Sequence, residues 1–279
     1  MAIKKEVETK LERSQGKMAT RLAAYLDDPQ KQENVHDART SLRKLDAAFS
    51  LTPKKVREAN SKYIKTYKEF FRANSRVRDC DVIKSRILSY GTEANSQTLL
   101  RDIEARRKAE LNRAIKLGHS LEAMASSEGK GQKAIALDSL SNSKVEDRVD
   151  KVIRRLNKNL KKLLPQVLGD ETKVSELHEA RKDCKKLRYA LDVISEDLKK
   201  PYVEKLVDIL AEAGHPLDSK KDPEDVLHEL QDLLGNVHDS DITIDFLSVH
   251  DSKDARKLLA LERAHRKQEF QKFSAFMVR

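Results

Sequence analysis

The sequence predicts an all-α protein made of two four-helix-bundle-like halves, and three observations carry that prediction. Helix-favouring Lys, Arg, Glu, Leu and Ala dominate, while Gly (8) and Pro (6) are scarce for 279 residues. Apolar residues recur at helical spacing although 37% of the chain is charged. Two segments of the first half also return, in the same order, in the second.

Taken in chain order, the periodicity predicts helices at about 2–27, 30–50, 53–73, 76–90, 93–126, 144–164, 171–197, 200–213, 223–235, 237–249 and 252–277. Asp28-Pro29, Thr52-Pro53 and Asp222-Pro223 separate helices because proline cannot continue a helix from its amino side and acids satisfy free N–H groups. Gly214-His215-Pro216 reads as a helix stop. The stretch 126–143, SSEGKGQKAIALDSLSNS, has linker composition, so a first bundle is expected over 1–126, a linker over 127–143 and a second bundle over 144–279.

The internal match supports that division. VHDARTSLRKLDAAF (35–49) aligns without gaps to LHEARKDCKKLRYAL (177–191), and RVRDCDVI (76–83) to NVHDSDIT (236–243). One such match could arise from amphipathicity alone; two in register point to duplication.

Each of the first pair of segments has a cationic face opposite a packing face. At about 100° per residue, Arg39 falls about 60° and Arg43 about 20° to one side of His36, while Val35, Ala38, Leu42, Leu45 and Phe49 fall on the far side. His178, Arg181, Lys185 and Arg188 form the matching stripe, with Leu177, Ala180, Cys184, Leu187 and Leu191 opposite. Like charges spaced i,i+4 cost helix stability, so a repeated stripe of one sign calls for an anionic partner. Arg brings a fork suited to bidentate phosphate contact, Lys a mobile point charge, and His a donor whose pKa falls among cations and rises beside phosphate. Lys44, Lys186, Arg72, Arg76 and Arg78 are second-rank candidates for the same contact.

Net charge is +10 with 46 acids present, a mixed surface with a basic surplus suited to polyanions. Cys80 and Cys184 form no CxxC pair and predict a reducing compartment. No run approaches the ~18 apolar residues of a membrane span, and the start lacks the apolar core of a secretion signal, so a cytoplasmic location with no membrane partner is expected. Asp79/Asp81 and Asp239/Asp241 are expected just after helix breaks, satisfying free N–H groups or orienting Arg76 or Arg78. His36-Asp37, His238-Asp239 and His250-Asp251 resemble the dyads of metal-dependent phosphohydrolases, but no spaced His set accompanies them. There is no HExxH, Walker loop or GxSxG, so no catalytic residue, metal or cofactor is assigned.

At these residues the chain resembles the CHAD family, the conserved histidine α-helical domain. His36-x-x-Arg39-x-x-x-Arg43-Lys44-Leu45 is similar to the first His motif, and His178-x-x-Arg181-x-x-x-Lys185-Lys186-Leu187-Arg188-Tyr189 is closer to the second. Arg78-Asp79-x-Asp81-Val82 and Leu234-Gly235-x-x-x-Asp239 resemble the companion helix motifs. Asp46 departs from the pattern, which more often carries a base there. The resemblance implies two four-helix bundles related by pseudo-twofold symmetry, with a basic groove or pore between them lined by the His motifs. It also implies non-catalytic binding of inorganic polyphosphate, and with it association with polyphosphate granules. Two other readings stay open: nucleic-acid binding, for which the sequence has few aromatics to stack bases, and metal-dependent phosphate hydrolysis through the Asp pairs. Weak non-specific affinity for nucleic acid is compatible with the polyphosphate reading, and the sequence names no protein partner.

Overall fold

The structure, a computed structural model, describes residues 3–91, 96–128, 141–215 and 222–278. Among them are ten α-helices and no strand. These are α1 (Ile3–Asp27), α2 (Gln32–Ser50), α3 (Lys54–Ala59), α4 (Ser61–Ser89), α5 (Gln97–Glu128), α6 (Asn142–Leu168), α7 (Val174–Leu191), α8 (Glu196–Glu212), α9 (Pro223–Ser248) and α10 (Lys253–Met277). Most of the expected linker, 129–140, lies outside the described residues, as does Pro216.

Local chemistry sets several of the boundaries. Asp222 caps α9, its carboxylate accepting from the Glu224 amide at 2.9 Å with Pro223 in the first turn, and Ser252 caps α10 by accepting from the Ala255 amide at 3.0 Å. The stop after α8 is built by Gly214 at φ +94°: the His215 amide donates to Leu210 O at 2.9 Å and the Gly214 amide to Ala211 O at 3.0 Å.

Four boundaries differ from expectation. The breaks expected at 74–75 and at 236 do not occur, so α4 and α9 run unbroken through Asn74-Ser75 and Gly235-Asn236. A helical glycine costs about 1 kcal/mol, and the burial of Leu234 and Val237 on either side of Gly235 outweighs it. The expected helix 53–73 instead splits at Asn60, whose side-chain amide donates to Val56 O at 2.8 Å. The expected 171–197 ends at Leu191, since Val193 and Ile194 are buried and the Ser195 amide donates to Glu6 Oε2 at 2.8 Å.

The chain forms two compact units, Met1–Asp81 with Ile103–Val152 and Val193–Ser195, and Val82–Asp102 with Ile153–Asp192 and Glu196–Arg279. Helices α4, α5 and α6 are each divided between them. In the first unit α1 packs on α2, Tyr25 stands edge-on to Phe70 at 5.2 Å, and Phe49, Tyr63 and Tyr67 make an aromatic cluster with Phe49 stacked on Tyr67 at 6.0 Å. Gly118 lets α5 approach closely, because a Cβ there would stand 2.9 Å from the end of Leu26. In the second unit α9 packs against α7, α8 and α10 over Leu177, Leu187, Leu191, Leu230, Leu234, Val237, Leu258 and Phe273.

Cross-helix contacts recur at aligned positions. In the first unit Arg107 Nε donates to Asp81 Oδ1 at 2.6 Å, and Arg76 donates to Glu110 Oε1 at 3.1 Å. In the second, Arg266 Nε donates to Asp241 Oδ1 at 2.5 Å, and Asn236 donates to Glu269 Oε2 at 3.0 Å. Asp81 aligns with Asp241 and residue 76 with residue 236; the partners Arg107/Arg266 and Glu110/Glu269 share one spacing. The Asp pairs are therefore mid-helix residues, not caps, and Asp81 and Asp241 fasten to arginines of the following helix rather than to Arg76 or Arg78.

Candidate anion-binding faces

The first face lies on α2. Val35, Ala38, Leu42, Leu45 and Phe49 are all buried, which turns the opposite side of the helix outward. His36 is exposed, 3.5 Å from Thr40 Oγ1, while Arg39 and Arg43 are half-buried. The Arg43 guanidinium lies over the Phe71 ring of α4 at 5.5 Å, which leaves its N–H edge to donate elsewhere. Lys44 is exposed but turned about 80° from His36, off the stripe.

The unbroken α4 separates the arginines that follow. Arg78 falls within about 20° of Phe71, the residue that meets Arg43, so α4 presents it on the α2 side. Arg72 and Arg76 are one turn apart on another face, where Arg76 is engaged with Glu110 of α5. Asp46 accepts from Tyr67 Oη at 2.8 Å and pairs with Lys68 at 3.2 Å, so the acid that interrupts the stripe is held by α4.

The second face lies on α7, where Leu177, Ala180, Cys184, Leu187 and Leu191 are buried. His178, Arg181, Lys185 and Arg188 all stay half-buried on the other side. The Arg188 guanidinium stacks on Tyr189 at 4.5 Å and donates from Nε to Gln231 of α9 at 3.1 Å. Lys186 is exposed and pairs with Asp183, which also accepts from Asn159 of α6 at 2.8 Å. Lys182, flanking the stripe, is bonded to Glu179.

The sequence reading missed His238 of α9. Its Nδ1 meets His178 Nδ1 at 3.2 Å, with ring centroids 4.7 Å apart. The signal was present, because His238 aligns with Arg78, but it was read only as half of an HD dyad. Burial first, then Lys182 and Arg181, hold the His178 pKa below its ordinary value. Burial, then Arg181, His178 and Lys185, push His238 down to about 3. The fall expected for a His among cations is thus present at His178, with desolvation its largest cause.

The dyad acids have their own company. Asp37 pairs with Arg21 at 2.7 Å, Asp251 with Arg256 at 2.9 Å, and Asp239 lines a separate cavity with Arg86, Asn236, His265, Glu269 and Lys272. His250 is held between Phe246 O at 2.8 Å and Asp102 at 3.1 Å. Among the described residues no group of three or more His, Cys, Asp or Glu is arranged to hold a metal ion. Cys80 and Cys184 are free, buried thiols, and burial pushes Cys80 up to about 11. No helix among the described residues is long and apolar enough to cross a membrane.

Two His-led basic faces on packed helices define the class: an all-α domain with the first and second His motifs in order. The family model for the CHAD domain matches residues 10–248, and the chain belongs to the CHAD domain family. No curated protein matches the chain.

Proposed function

We propose that the protein binds inorganic polyphosphate without turning it over, using the α2 face of one unit and the α7 face of the other. The observation that carries this reading is the repeated arrangement of bases. At aligned positions, His36-Arg39-Arg43 and His178-Arg181-Lys185 stay at least partly open to solvent opposite fully packed apolar sides. Nearby acids are engaged: Asp46 with Tyr67 and Lys68, Asp183 with Asn159 and Lys186, Asp81 with Arg107 and Asp241 with Arg266. What remains facing outward is a set of donors matched to closely spaced phosphate oxygens.

Membership of the CHAD family supports the same ligand. The matching contacts of Asp81/Arg107 with Asp241/Arg266, and of Arg76/Glu110 with Asn236/Glu269, support a common origin of the two halves. His36, Arg39, Arg43, His178, Arg181, Lys185 and Arg188 are the direct contacts in this reading. Arg78 joins the first face, and Arg72 and Arg76 contribute long-range charge.

The test is competition. Long-chain polyphosphate should displace labelled single-stranded RNA from the protein, with affinity falling on the order of 10³-fold between 50 and 200 mM salt if about six or more phosphates are contacted. RNA that polyphosphate fails to displace would contradict the reading in favour of nucleic acid. Phosphate release in Mg²⁺ or Mn²⁺ that disappears in Asp79→Asn or Asp239→Asn would contradict it in favour of an enzyme.

A further inference from the structure

We propose that His238 is a positioning residue that lets His178 take up a proton when polyphosphate binds, so that the α7 face binds its ligand with proton uptake. This rests on the polyphosphate reading and adds a proton to it.

The geometry is specific. Two imidazole Nδ1 atoms 3.2 Å apart share one proton, one ring donating and the other accepting. Two N–H groups cannot face each other there, so the pair holds at most one positive charge. That charge belongs on His178. Its own helix carries the ligand-facing bases Arg181 and Lys185, whereas His238 is the more deeply buried ring on α9.

The groups around the pair fix the direction of the change. On α7, Arg181, Lys182 and Lys185 disfavour a charge on His178, and Glu179 favours it. Across the interface on α9, burial first and then Arg181, His178 and Lys185 of α7 disfavour a charge on His238. An anion laid on Arg181 and Lys185 offsets their share of the repulsion, and its own negative charge beside the ring opposes the share due to burial. One proton then moves from solvent to His178, giving an imidazolium with two N–H groups. The Nδ1–H donates to His238 Nδ1 and the Nε2–H is left for a phosphate oxygen. His238 stays neutral throughout. At the aligned position the first unit has Arg78, which cannot accept a hydrogen bond.

The sign follows from linkage. The bound-state pKa of His178 lies above the free-state value, so affinity falls as pH rises through that window, by up to about 10-fold per pH unit for one coupled proton.

The experiment is calorimetry of the full chain with long-chain inorganic polyphosphate near pH 6.5, in two buffers of different ionisation enthalpy. Histidine ¹⁵N spectra of the wild type, free and bound, follow His178 directly. The expected result is net uptake approaching about one proton, with His178 passing from neutral to charged. His238→Asn, which keeps an acceptor, should retain the uptake. His238→Arg, which copies residue 78, should bind with that uptake lost. Binding without proton uptake in the wild type, or a neutral His178 in the bound spectrum, overturns the proposal and leaves polyphosphate binding standing. Unchanged uptake in a folded His238→Arg variant also overturns it. Absence of binding overturns the polyphosphate reading itself.

Discussion

The α2–α4 pair and the α7–α9 pair place similar motifs on similar helices but finish them with different chemistry. Beside the first stripe stand Phe71, under Arg43, and Arg78; at the aligned positions of the second stand Gln231, bonded to Arg188, and His238, bonded to His178. Asp46 in the first corresponds to Arg188 in the second. The first face therefore has a single histidine with arginines over an aromatic floor, while the second has one more base and a pair of histidines in contact. Similar helix packing can thus carry different chemistry at matched positions.

The units differ inside as well, and the largest expected effect lies there. In the second unit Glu262 is fully buried, held by Arg86 at 3.0–3.2 Å and by Tyr90 Oη at 2.6 Å. Counting from the matched Arg107 and Arg266, the first unit has Ile103 in its place, also buried. Arg86→Ala leaves an uncompensated buried carboxylate and should cost about 3–5 kcal/mol in denaturant unfolding. Arg86→Met with Glu262→Ile, the second change copying Ile103, removes both charges together and should recover most of that loss. A single variant within 1 kcal/mol of wild type (roughly the scale of an exposed pair) would show that Glu262 is not buried as a charge.

Next come the matched clamps. Arg107→Ala and Arg266→Ala each leave a largely buried aspartate without its principal donor, and each should cost about 2–3 kcal/mol. Unequal losses, read by hydrogen exchange in α4 and α9, would break the equivalence of the two helix pairs.

A smaller effect separates the faces by pH. The folded pKa of His238 is lowered from 6.5 to about 3, so its neutral form contributes stability that is complete above 6.5 and is lost as pH falls toward 3. The loss should be about 2 kcal/mol once partial solvent screening is allowed for, and His238→Leu should flatten that limb. An unchanged acid limb would place the titration elsewhere. The smallest effect is expected at Lys44 and Lys186, both exposed and off the stripes. Alanine there should lower polyphosphate affinity less than about 3-fold, through general charge alone.

How much of this was legible in the sequence follows from the range of each interaction. The stripes of α2 and α7 were legible because a 3.6-residue period separates Val35, Leu42 and Phe49 from His36, Arg39 and Arg43 with no long-range information. The caps at Asp222 and the stop at Gly214 were legible for the same reason. The continuity of α4 and α9 was not, because Asn74 and Gly235 are tolerated only through burial that neighbouring helices supply. The Arg86–Glu262 pair joins residues 176 apart, and no local pattern announces it. His238 was half legible: the alignment put it opposite Arg78, but its contact with His178 depends on how α7 packs on α9.

The central claim is that the two stripes, rather than the surplus of charge at large, hold the ligand. Its most direct test is titration calorimetry with long-chain polyphosphate on the wild type and on the His36→Ala/Arg43→Ala/His178→Ala/Lys185→Ala variant, with folding checked by circular dichroism. The account predicts tight wild-type binding and at least ~100-fold weaker binding by a folded variant, the loss of several charge-assisted hydrogen bonds. Equal binding by the two would contradict it and assign the affinity to diffuse charge.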